Sequence, residues 1–164
     1  MKIDFTNLTD DIIPMQQFGL KYRFLSDHYE KLPEQYLAQL KPLGKKGSRF
    51  LWDYTIKSNL HAHAPFKKNF FNTIDTARIQ EGKELEVKKW LDQRGFPSDK
   101  PVFLSWQPSE AMIVPWKLFV HYFDHFRYCT AADLTVIDQS LNWALFLYRE
   151  NEIHFGSNRT SLSA

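Results

Sequence analysis

From Trp143 to Tyr148 the chain is almost wholly apolar; it then passes through the polar stretch Arg149-Glu150-Asn151-Glu152 and resumes with Ile153-His154-Phe155 before Gly156. This pattern predicts a β-hairpin, with Asn151 suited to a positive-φ turn position and Gly156 ending the second strand. A two-residue loop at Glu150-Asn151 sets Arg149 opposite Glu152. In that register Tyr148 meets Ile153 and Phe146 meets Phe155 on one face, while Leu147 meets His154 on the other. Opposite-charge, aromatic and branched pairs of this kind each stabilise a ladder by roughly 0.2–1 kcal/mol. Trp143, Leu145 and Leu147 make the second face apolar as well, more than a sheet with one solvated side needs. Helices of this chain or a partner must therefore cover it.

Upstream, Asp133 to Ile137 reads as a strand. Pro101 to Trp106 and Ala111 to Val114 read as two more, joined by the turn Gln107-Pro108-Ser109-Glu110. From Trp116 to Tyr128 the residues Trp116, Phe119, Val120, Phe123 and Phe126 share one helical stripe, a cover for the hairpin. Lys83 to Arg94 reads as a helix with an acidic start, a basic finish and Gly95 after it. Leu32 to Leu40 is a short amphipathic helix stopped by Pro42 and Gly44. Leu43 to Ser48 reads as a loop, Gly47 to Asn59 fits strand alternation and a helical face equally, and Leu60 to Phe71 is irregular around Pro65. Met1 to Leu25 is a starting segment over the core, and the tail from Ser157 is small and polar. Helices first, then strands clustered late with one helix among them, predict an α+β fold. Its sheet is mostly antiparallel, includes the C-terminal hairpin, is covered by helices, and residues 1–164 form a single domain.

Composition adds a large aromatic core: 16% of residues are aromatic, fourteen of them Phe. The formal net charge of +2 is too small to imply a polyanionic partner by itself. A single cysteine, Cys129, no N-terminal apolar run and no apolar stretch approaching the roughly 20 residues of a membrane span lead to the expectation of a cytoplasmic protein without a membrane association. Asn7-Leu8-Thr9 and Asn158-Arg159-Thr160 match the glycosylation pattern, which carries no meaning in that compartment.

The chain holds no phosphate loop, dinucleotide fingerprint, nucleophile elbow or Cys-pair zinc pattern, so no catalytic residue is assigned and no cofactor is expected. Two histidine pairs are candidate metal ligands for an alternative reading as a metal-assisted hydrolase. His121 and His125 stand one helical turn apart, and His61 and His63 flank Ala62, where an extended backbone would point both to one face although the surrounding LHAHAP reads as a loop. The first pair lacks the glutamate that follows the first His on a metalloprotease helix. His154, beside Trp143 and Leu147 on the second hairpin face, is a candidate perturbed histidine. Asp133 and Asp138 are about 17 Å apart along a strand and are turn-capping carboxylates rather than a dyad. Cys129, where the helix ends, reads as a small semi-buried thiol. Between Lys41 and Lys68 seven cations, including Lys45, Lys46, Lys67 and Lys68, stand against one carboxylate, Asp53. Phe50, Trp52, Tyr54 and Phe66 are interleaved with them. This is the composition of a surface for single-stranded nucleic acid and also of an ordinary solvated rim beside an aromatic core; the same patch could receive an acidic protein through electrostatic steering.

The order FLSWQPSEAMIVPWKLFVHYFDHFRY followed by AADLTVIDQSLNWALFLYRENEIHFG resembles a pattern in small uncharacterised bacterial domains: strand, aromatic helix, acidic strand start and Trp-bearing hairpin. At the hairpin it is similar to cytoplasmic immunity-type proteins of bacterial toxin systems. The resemblance spans Val102 to Gly156, implies architecture and a protein partner, and carries over no site residue. Those hairpins hold a His near the positions that are Tyr148 and Arg149 here. The expected function is therefore a protein-binding, immunity-like or accessory domain without catalytic activity, monomeric or homodimeric. Its candidate binding residues are Trp143, Leu147, His154, Lys45, Lys46, Trp52, Lys67 and Lys68.

Overall fold

A computed structural model describes residues 2–127, 133–148 and 151–158. Two 3-10 turns, Leu8–Asp11 and Met15–Gln17, precede the short helices α1 (Tyr22–Leu25) and α2 (Glu34–Leu37). Strand β1 (Lys41–Pro42) leads into the long helix α3 (Lys45–Ser58). Then come β2 (Thr73–Arg78), α4 (Glu84–Asp92), β3 (Pro101–Gln107) and β4 (Glu110–Pro115). Helices α5 (Trp116–His121) and α6 (Phe123–Arg127) precede β5 (Leu134–Ile137), β6 (Trp143–Tyr148) and β7 (Glu152–Ser157). The strands form one seven-stranded sheet in the order β1-β4-β3-β5-β6-β7-β2, and each neighbouring pair is antiparallel. The α+β class and antiparallel sheet are as the sequence pattern predicts.

The hairpin register differs by one residue from the expected one. Tyr148 pairs with Glu152, Leu147 with Ile153, Phe146 with His154 and Leu145 with Phe155. Arg149 and Glu150, which the expected turn used, lie outside the described residues, as does Cys129. A one-residue slip moves every side chain of one strand to the other face. Here it gathers Leu145, Leu147, Ile153 and Phe155 with Leu104, Val136, Leu134 and Met112 on a single apolar face. That gain in common burial selects this register over the charge pair beside the turn. His154 consequently stands on the opposite face from Trp143 and Leu147, and β7 runs on through Gly156 rather than stopping there.

The first face packs beneath α4, α5, α6 and the N-terminal turns: Val87 and Leu91, Phe119, Phe123 and Phe126, Phe18 and Phe24. The predicted helix over 116–128 is broken at Tyr122 (φ −114°, ψ 27°), which lets the α5 and α6 stripes both face the sheet. Trp106, at an irregularity between Ser105 and Gln107, donates its indole N–H to the Phe126 carbonyl at 2.9 Å and ties β3 to α6. The second face carries Phe103, Ile113, Ile137, Ala144 and Phe146. It is covered by Leu51 of α3, by Leu8 from the N-terminal segment, and by Leu60, Phe66 and Phe71 of the connection from α3 to β2. Both faces are thus closed by the chain itself.

Helix α3 replaces the expected loop at 43–48 and settles the ambiguity at 47–59. Its inner face, Gly47, Ser48, Leu51 and Thr55, recurs at helical spacing. Its start is capped from afar: the Asp11 carboxylate accepts the Gly47 N–H at 2.6 Å, and the Asp11 carbonyl accepts the Gly44 N–H at 2.8 Å. Asn59, left-handed at φ 61°, ends it. Strand β2 has no counterpart in the sequence reading, because it is an edge strand with five of six residues exposed and so lacks apolar alternation. Asp75 anchors it to α4, accepting from the Trp90 indole at 3.1 Å and from Arg94 at 3.0 Å.

A Cβ on Gly156 would overlap the Phe71 ring, so the 59–71 cover can lie flat on the sheet only because this residue has no side chain. Gly156→Ala is expected to lower stability by about 1–3 kcal/mol through overpacking. In urea melts, adding Phe71→Ala should recover part of that loss, a coupling that independent sites would not give.

Candidate binding groove and buried histidines

Where α3 runs beside the N-terminal segment, a groove of about 770 Å³ opens at the surface. Its cationic lining is Lys2, Lys45, Lys46, Arg49 and Lys57, against Asp4 and Asp53. Five cations less two carboxylates leave an excess of three, while the whole chain carries +2, so everything outside the groove sums to −1. The wall is apolar: Ile3, Phe50 and Tyr54 line it, with Phe5 in edge contact with both rings at 4.9 and 4.8 Å. Tyr54 donates its hydroxyl to the Gln139 carbonyl at 2.5 Å. Burial, and then the Asp138 carboxylate, hold its phenol above the ordinary value, so it remains a neutral donor. Arg49 shares its guanidinium with Asp53 at 3.1 Å, an exposed i,i+4 pair of small energetic weight.

Of the candidate binding residues, Lys45 and Lys46 enter this groove. Lys67 and Lys68 are exposed on the 59–71 connection and do not line it, and Trp52 is half-buried beside the groove without lining it. Trp143 and Leu147 are 2% and 6% exposed within the main core, so they offer no surface. The Trp143 indole donates to Asp138 at 2.7 Å, and Lys100 pairs with the same carboxylate at 3.1 Å. Burial opposes ionisation of Asp138, but hydrogen bonds from Ser140, Trp143 and Lys100 outweigh it and hold the carboxyl below its ordinary value. Lys2 was missed because nothing in the sequence places the N-terminus beside α3. Arg49 and Lys57 join Lys45 and Lys46 only once the segment is wound as a helix.

The histidine pairs do not converge. His61 lies over the second sheet face, whereas His125 lies over the first, its Nε2 at 2.7 Å from the Glu30 carbonyl. His63 and His121 are exposed. Among the described residues, no group of three or more His, Cys, Asp or Glu side chains is placed to hold a metal ion. Nor is any described helix long and apolar enough to cross a membrane.

His61 instead fastens the 59–71 connection. Its ring stacks on Phe146 at 4.0 Å, its Nδ1 lies 2.6 Å from the Pro65 carbonyl, and its Nε2 lies 2.9 Å from the Thr135 hydroxyl. A neutral imidazole, donating at Nδ1 and accepting at Nε2, satisfies both contacts. Burial pushes its pKa down, against the Pro65 carbonyl and the Asp133 charge, which pull it up. On the same face His154 shares a hydrogen bond with the Thr76 hydroxyl at 3.0 Å, while its Nε2 faces Glu152 at 3.5 Å, long for a hydrogen bond. Burial lowers this pKa too, and Glu152 opposes the shift. Across the ladder from Thr135, the buried Ser105 hydroxyl has no hydrogen-bond partner among the described residues.

Comparison with protein-family models, with curated proteins and with solved structures gave no match. The groove and the buried polar row must therefore be interpreted from their own chemistry.

Two outcomes follow from the buried row. Both histidines have folded pKa values below the unfolded value of about 6.5, so between the two values the unfolded chain binds more protons. Their contribution to stability is complete above about pH 6.5 and declines as the pH falls through the folded values. Urea midpoints should drop on acidification, and His61→Gln, which keeps hydrogen-bonding capacity without the charge, should flatten that drop. Ser105→Ala should leave stability unchanged or raise it by up to about 1 kcal/mol, because the hydroxyl it removes is unpaired.

Proposed function

We propose that this protein is a cytoplasmic, non-catalytic domain that binds an acidic region of another protein through the α3 groove. The supporting observation is the concentration of charge: the excess of three in one groove exceeds the net charge of the chain, and an apolar wall lies beside it. Such a surface accelerates encounter with a negative patch and discriminates against positive ones. The wall of Ile3, Phe50 and Tyr54 supplies apolar area that desolvates the contacts. An immunity-like protein that masks an acidic toxin surface is the form of this function implied by the hairpin resemblance. Single-stranded nucleic acid would use the same cations. It also stacks bases on aromatic rings, for which Phe50 and Tyr54 line the same groove, so the two partners are separated by experiment.

The test measures binding of a Glu/Asp-rich peptide and of a single-stranded oligonucleotide, each between about 50 and 300 mM salt. The peptide should bind, weaken as salt rises, and lose about tenfold or more in affinity in the Lys45→Glu/Lys46→Glu/Arg49→Glu variant. Lys67→Glu/Lys68→Glu, outside the groove, should bind as the parent does. Retention of the oligonucleotide in preference to the peptide would replace this reading with nucleic-acid binding.

A further inference from the structure

We propose that the outward stripe of α3 is a docking seam for an amphipathic acidic helix of the partner, an inference that rests on the acidic-partner reading above. Lys45, Arg49, Trp52 and Ile56 follow one another at i, i+4, i+7 and i+11 along the helix. At about 100° per residue the four lie within about 60° of arc, outside the arc of the buried positions Gly47, Ser48, Leu51 and Thr55. Seven residues separate Lys45 from Trp52, and seven separate Arg49 from Ile56. That is the repeat by which two helices keep one seam in contact over successive turns.

The seam is graded in chemistry. Its N-terminal half is cationic and borders the groove. Its C-terminal half is apolar, with Ile56 58% exposed and Trp52 half-buried. A single exposed Ile is ordinary. What distinguishes this one is its alignment with a Trp and an Arg, the residue types that most often anchor interfaces. Arg49 holds Asp53 through one of its five N–H donors, at Nε, so a partner carboxylate can share the same guanidinium.

The geometry selects a helix as occupant. From Lys45 to Ile56 the seam runs about 16 Å, with steps of about 6, 4.5 and 6 Å between its four rungs. A helix presents side chains at the same i, i+4, i+7 and i+11 intervals, so two carboxylates can meet Lys45 and Arg49 while two aliphatic residues meet Trp52 and Ile56. An extended strand presents one face every ~6.8 Å and falls out of step within these three turns. It would also require a free sheet edge, which α3 does not supply. An acidic segment without apolar residues would engage only the cationic half and leave Ile56 in water.

Two synthetic peptides of about 12 residues decide the matter, one with Glu and Leu placed on a single helical stripe and one of the same composition shuffled to destroy it. By fluorescence anisotropy the striped peptide should bind about tenfold tighter or better, and circular dichroism should show it gaining helix in the complex. Ile56→Gln, which keeps helix propensity and adds no charge, should reduce the striped peptide to the affinity of the shuffled one. Lys45→Glu/Arg49→Glu should weaken both. Equal affinity for the two peptides, each falling with salt, would overturn the helix seam while leaving the acidic-partner function in place. Failure of both to bind would overturn the two together.

Discussion

The sheet has two apolar faces, and this constraint governs the rest of the molecule. Strands β3, β5, β6 and β7 place Leu104, Val136, Leu145 and Phe155 on one side and Phe103, Ile137, Phe146 and His154 on the other. Neither side can be left to water, since a fully buried large apolar side chain contributes about 1.5–3 kcal/mol relative to an exposed one. The chain therefore divides its non-strand residues between two covers. The aromatic helices α5 and α6 with α4 take the larger face, and α3 with the 59–71 connection takes the smaller.

The smaller cover is built from less regular backbone, and polar anchoring follows from that. Between Asn59 and Phe71 the connection makes few internal backbone hydrogen bonds, among them Lys67 to Leu60 at 2.8 Å. It is held by insertion of Leu60, Phe66 and Phe71 and by His61, which lies flat on Phe146 and reaches Thr135. A half-buried imidazole here does what a helical ladder does elsewhere: it satisfies the polar groups of a segment that has no regular partner. The lowered pKa of His61 is the physical consequence of that role, so it is not in itself a mark of acid-base chemistry.

The late strands, α4 and the class of fold were legible because their signals are local. Ala111 to Val114, Leu134 to Ile137 and Trp143 to Leu147 are short unbroken buried runs bounded by turn residues, and Val87 and Leu91 repeat at helical spacing. Three features were not legible, each because a distant residue decides it. The α3 start depends on Asp11, thirty-six residues earlier. Strand β2 is an exposed edge whose existence is fixed by β7, Trp90 and Arg94. The hairpin slip is decided by common burial against β5 and the helices, a term that no cross-strand pair beside the turn reveals. Of the candidate site, Lys45 and Lys46 were legible as charge, but Lys2 and the groove are products of the packing.

The placement of those lysines is costly, and the cost bears on their role. Lys45 and Lys46 occupy the first turn of α3, which holds no acidic residue. The macrodipole there is positive, and a cation in that position is disfavoured by about 0.3–1 kcal/mol where a carboxylate would be favoured. Helix α4 follows the stabilising rule, with Glu84 and Glu86 in its first turn. In α3 the Asp11 carboxylate, brought in from the N-terminal segment onto Gly47, supplies the missing negative charge and permits the inversion. Departures from local stabilising rules tend to accompany function. Fold stability gives no reason for lysines at this end of the helix, whereas the proposed anionic partner does: Asp11 answers the backbone N–H at the helix start, and the lysine side chains supply the positive potential of the groove.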